Sequence, residues 1–78
     1  MNIEIITPTE SLFSGEIKRV NLPGSNGAFE MLENHAPIIS TLQKGKVVIL
    51  DDQGKEHTFD IEGGVVEQSL NKVIVLVE

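Results

Sequence analysis

The sequence predicts an all-β domain of about nine short strands, and three observations carry that prediction. Ile and Val together number 17 while Ala numbers 2, a composition that suits pleated, half-buried surfaces and withholds the best helix former. Turn-forming clusters recur along the chain at spacings that leave room only for short strands: Thr7-Pro8-Thr9, Pro23-Gly24-Ser25-Asn26-Gly27, Asp51-Asp52-Gln53-Gly54, Gly63-Gly64 and Ser69-Leu70-Asn71. Between them, Glu16 to Leu22 alternates polar and apolar residues, as a strand with one wet face must.

The elements follow in order. Asn2 to Thr7 is the first strand, stopped where Pro8 removes a backbone donor. Ser11 to Phe13 and Glu16 to Leu22 come next; the alternation changes phase at Lys18-Arg19, which predicts a bulge or a bend from one sheet into another. Ala28 to Leu32 returns after a glycine-rich hairpin turn. Pro37 forces an extended entry into Ile38 to Gln43. Lys46 to Asp51 and Lys55 to Ile61 form a hairpin around Asp51 to Gly54, because Asp initiates the turn and Gly54 supplies its positive φ. Gly63-Gly64 predicts a bulge or a close backbone approach before Val65 to Gln68. Lys72 to Val77 closes the series. The runs Val47 to Leu50 and Val73 to Val77 are apolar on both faces, so their outer faces are expected to meet a second layer or a partner.

Length and charge narrow the function. For 78 residues, surface scaling predicts one domain with roughly 4,600 Å² exposed and only about 60% of the extended surface buried. No cysteine can reinforce so small a core. A formal net charge of −6 opposes docking to nucleic acid or to an anionic lipid surface. The longest apolar run, Val73 to Val77, falls far short of the roughly 20 residues of a spanning helix. Met1 leads into Asn2 and Glu4 rather than a basic and then an apolar stretch, so no signal peptide is expected and a cytoplasmic location is.

Chemistry finds no foothold. His35 and His57 are far apart and lack cysteines or a helical His-x-x-x-His spacing, so no metal site is expected. Ser40 near His35 has no Gly-x-Ser-x-Gly elbow around it. Pro23 to Gly27 lacks the Gly-Lys-Ser/Thr ending and following helix of a phosphate loop. Asp51-Asp52 and the Glu30 and Glu33 pair suit solvated turns better than acid-base work on so acidic a chain. Neither an enzyme nor a cofactor is expected.

Five motifs stand in one order: Phe13-Ser14-Gly15; Gly24-Ser25-Asn26-Gly27; His35-Ala36-Pro37 with Ile38-Ile39 and a later Gly45; Gly63-Gly64-Val65-Val66-Glu67; and Asn71-Lys72-Val73-Ile74-Val75-Leu76. In that order and spacing the chain resembles, over essentially its whole length, the epsilon subunit of F-type ATP synthases. The resemblance implies a two-layer β-sandwich of about nine to ten short strands at the foot of the central stalk. It also implies a non-catalytic coupling role, in which one sheet and its loops grip the gamma subunit while other loops touch the c-ring of the membrane sector. Carried over residue by residue, the gamma contacts are Thr7, Pro8, His35, Ser40 and Thr41, and the c-ring contacts are Ser25, Asn26, Gly27, Ala28 and Phe29, the alternatives being that His35 only scaffolds its loop and that Phe29 belongs to the core. Ala28-Phe29-Glu30-Met31 departs from the family's Gly-x-Leu-Gly-Ile pattern, and Glu33-Asn34 replaces its Pro-x before His.

The family's C-terminal two-helix domain has no counterpart in residues 1–78, which are expected to be a single domain ending naturally at Glu78. On that expectation, restraint of ATP hydrolysis by helix extension is closed to it. The implied location is the cytoplasmic side of a bacterial inner membrane, held peripherally through gamma and the ring. Weak self-association through the two-sided apolar strands is expected when gamma is absent. The alternative is a free-standing β-sandwich that binds a ligand, for which three Phe with no Trp or Tyr are poor material.

Overall fold

A computed structural model describes residues 1–32 and 36–78. Eight strands and no helix occur among them: β1 (Asn2–Ile6), β2 (Ser11–Gly24), β3 (Gly27–Leu32), β4 (Ile38–Leu42), β5 (Gly45–Asp51), β6 (Glu56–Ile61), β7 (Gly64–Ser69) and β8 (Lys72–Val77). The expected nine to ten strands become eight because Ser11 to Phe13 and Glu16 to Leu22 are halves of one strand. Ser14 and Gly15 do not interrupt it, since they pair with Glu4 and Ile3 of β1.

β2 is the organising element. Its N-terminal half runs antiparallel to β1, which pairs parallel with β8; β8, β7 and β4 then follow as antiparallel neighbours. Its C-terminal half pairs with β3 on one side and with the β5–β6 hairpin on the other. Between the halves Ile17 pairs with Asp51 and Arg19 with Leu50, so Lys18 is the extra residue of a bulge. The extra residue resets the alternation, leaving Ile17 and Val20 both inward and Lys18 and Arg19 both exposed. One strand thereby serves two layers, and the single pair Gly24 with Leu42 closes the path back to β4.

The core lies between the layers. Ile3 and Ile5 of β1, Ile17, Val20 and Leu22 of β2, Met31 of β3, Val47 and Ile49 of β5, Val66 of β7 and Val73 and Val75 of β8 are all fully buried. The total accessible surface is 4637 Å², matching what scaling predicts for a chain of this mass. Gly64 accounts for the expected close approach: its backbone sits so near the Leu76 carbonyl that a Cβ would overlap it. At the β7–β8 turn, buried Gln68 donates from Nε2 to the Leu70 carbonyl at 2.7 Å, bracing a leucine whose φ is 54°.

Candidate functional site

Register fixes which side chains share the outer face of β4, β7, β8 and β1. Thr41 pairs with Val65, Val65 with Leu76, and Leu76 with Ile6, so these four form one row across the sheet. The neighbouring row runs Ile39, Glu67, Ile74, Glu4. Ile39 is 73% exposed, Leu76 50% and Val65 37%. Aliphatic side chains in adjoining cross-strand rows make a continuous apolar strip in water, with two carboxylates set into it.

At the Thr41 end the row runs on into the hairpin between β2 and β3. Gly24 pairs with Gly27, leaving Ser25 and Asn26 as a two-residue turn. Four hydrogen bonds attach it to the end of β4. The Ser25 N–H donates to the Thr41 carbonyl (3.0 Å) and the Gln43 N–H to the Pro23 carbonyl (2.8 Å). The Thr41 hydroxyl donates to Ser25 Oγ (2.9 Å) and Gln43 Nε2 to the Gly24 carbonyl (3.1 Å).

The expected contact residues divide on inspection. Thr41 lies on the apolar strip, but Ser40 faces the other way, beside buried Val66, so no flat partner surface meets both side chains. Thr7 sits next to Ile6, at the far end of the Thr41 row. Its hydroxyl is already occupied, accepting from the N–H groups of Glu10 (3.0 Å) and Thr9 (3.2 Å) in a turn that leaves Pro8 exposed. His35 lies outside the described residues. Of the five residues from Ser25 to Phe29, four are exposed. Phe29 is the exception; its ring packs against the core and over Gly24, where an added Cβ would stand 2.7 Å from it.

Reasoning from sequence missed one cluster altogether. The His57 ring on β6 lies edge-on to Phe13 of β2, with centroids 4.9 Å apart, and Phe13 meets Phe59 similarly at 6.0 Å. The carboxylate of Asp51 only accepts, so His57 Nε2 carries the proton of the 2.8 Å bond between them. Asp51 Oδ1 takes the N–H groups of Gln53 and Lys55. The bond from His57, and then that from the Lys55 backbone, hold the Asp51 carboxyl below its ordinary range. The arrangement stitches the β5–β6 hairpin to the opposite layer. The register that sets Ile49 opposite His57 was the available signal, since it places His57 on an inward-facing position. Among the described residues no group of three His, Cys, Asp or Glu is placed to hold a metal.

Comparison with known proteins adds a family. The family model described as ATP synthase, Delta/Epsilon chain, beta-sandwich domain matches residues 1–78. The ATP synthase epsilon chain of Chlorobaculum tepidum is 46% identical over 76 residues, covering 97% of this chain and 86% of its own length. That of Caulobacter vibrioides is 37% identical over 78 residues, covering 100% and 90%. A chain in the structure of the Euglena gracilis mitochondrial ATP synthase, comprising OSCP, F1 and c-ring, superposes with a TM-score of 0.89 at 17% identity. That likeness in fold spans 96% of this chain and 48% of the other.

Proposed function

The chain belongs to the β-sandwich family of ATP synthase delta and epsilon chains, and on that premise we propose that it is a non-catalytic rotor subunit of an ATP synthase, joining the gamma subunit to the c-ring. The observation that carries this reading is the apolar outer face of β4, β7, β8 and β1. Ile39, Val65 and Leu76 stand in water on a rigid sheet whose opposite side is a close-packed core. Covering that strip with a complementary surface removes apolar area from water, at about 25 cal/mol per Å² before the costs of association. The gamma subunit is the partner that covers it.

The mechanism is mechanical. Ion flow turns the ring, and the rotation is useful only if it reaches gamma without slip. A sandwich packed to crystal-like density deforms little, and here the strip and the Ser25-Asn26 turn are parts of the same hydrogen-bonded body. Gamma is gripped by the strip and by the Thr7-Pro8 turn next to Ile6; the ring is touched by Ser25, Asn26, Gly27 and Ala28. Phe29 shapes that turn from beneath rather than reaching the ring itself. The chain thus works within a membrane-associated complex, peripherally and on the side where gamma stands.

The test is reconstitution. A complex assembled with the unmodified chain should pump ions per ATP hydrolysed better than one assembled without it; equal pumping in the two preparations would refute the coupling role.

A further inference from the structure

Beside the Ser25-Asn26 turn the ladder between β2 and β4 is thin. Among the described residues β2 and β4 share one registered pair, Gly24 with Leu42, and β3 pairs with β2 alone. The turn itself is tied to β4 by the two bonds between Ser25 and Thr41, and the strand that carries it is held by a clamp around Pro23 and Gly24. Phe29 fills the space over Gly24, where a Cβ would also stand 2.6 Å from the Gly27 carbonyl. Gly45 lays its backbone on the Pro23 ring so closely that a Cβ there would come within 2.7 Å. The Gly24 carbonyl accepts from the Gln43 side-chain amide, while the Gln43 backbone N–H holds the Pro23 carbonyl. A single residue therefore grips two successive carbonyls of the strand that carries the turn.

We propose that Gln43 is a positioning residue, which acts through Pro23 and Gly24 to hold the ring-facing turn at a fixed offset from the gamma-facing end of β4. The proposal rests on the coupling role argued above. Gln43 is exposed and takes no part in the core, so its side chain is not needed to fold the sandwich. Its amide is needed: a leucine keeps the bulk and loses the donor, and an ionised glutamate turns an acceptor toward the Gly24 carbonyl.

The experiment uses the complete ATP synthase in sealed vesicles, carrying the unmodified chain, Gln43→Leu or Gln43→Glu. Ion pumping per ATP hydrolysed is read in each, together with amide hydrogen exchange at Ser25 and calorimetric titration of each isolated chain with gamma. Both variants should lose pumping per ATP and exchange the Ser25 amide about fivefold faster, as loss of one hydrogen bond implies, while their affinity for gamma stays that of the unmodified chain. Faster exchange with undiminished pumping would overturn the proposal, as would unchanged exchange or an equal loss of gamma affinity. If pumping is the same with and without the unmodified chain, the coupling role itself fails, and the two failures are told apart by that control.

Discussion

The Thr41 hydroxyl donates to Ser25 Oγ at 2.9 Å, and this bond joins the last position of the apolar row on β4 to the turn between β2 and β3. One of these residues was expected against gamma and the other against the ring. Their direct contact means that the two proposed surfaces meet at a seam, with no flexible connection between them. Thr41→Val should break the seam's side-chain bond and leave the fold nearly unharmed, at a cost of about 0.5 kcal/mol because both groups are exposed. Urea denaturation measures that cost, and a loss several times larger would mean that the seam holds the sandwich together.

Gly64→Ala should be severe. The new methyl would overlap the backbone of Leu76 on β8, where no rotamer relieves it, and Gly64 also pairs with Leu42 and Val77. A loss of roughly 3 kcal/mol or more is expected, on the scale of other substitutions that force backbone apart. Thermal unfolding of the variant beside the unmodified chain checks it.

Acid should act through Asp51. Its folded carboxyl titrates below the ordinary range because His57 and then the Lys55 N–H bond to it. The folded value is depressed, so the stability it contributes is fully present above the unfolded aspartate value, near 3.9, and is lost as pH falls through the folded one. Asp51→Asn should therefore be less stable than the unmodified chain at pH 6, and the gap should close progressively below about pH 4. Urea midpoints across that range measure the gap; one that stayed constant with pH would refute the role of the hydrogen-bonded carboxylate.

Alone in solution, the chain should self-associate weakly through the strip of Ile39, Val65 and Leu76. Leu76→Lys places a charge in the middle of that row and should abolish the association. Sedimentation velocity over a range of concentrations reads both, and a strict monomer at millimolar concentration would contradict the expectation.

Most of the fold was legible because its signals are local. The phase change at Lys18-Arg19 is a bulge written into the alternation, and Asp51 and Gly54 specify their turn by side-chain bonding and by a φ of 81°. Ser14 and Gly15 misled because a glycine in a strand resembles a break when its partners on β1 are unknown. The site was less legible. Ser40 and Thr41 are neighbours in sequence, yet a strand sends them to opposite faces, and only the pairing with β7 shows which one meets the core. The aromatic cluster escaped because Phe13, His57 and Phe59 come from strands whose packing no single-strand pattern encodes.

The most direct test of the central claim is calorimetric titration of the gamma subunit from the same organism with three forms of the chain. These are the unmodified chain, Ile39→Asp on the apolar strip, and Leu32→Asp, an exposed leucine on β3 outside the strip. The account predicts one-to-one binding by the unmodified chain, a loss of about tenfold or more in Ile39→Asp, and undiminished affinity in Leu32→Asp. Absence of binding by the unmodified chain, or equal losses in both variants, would contradict it.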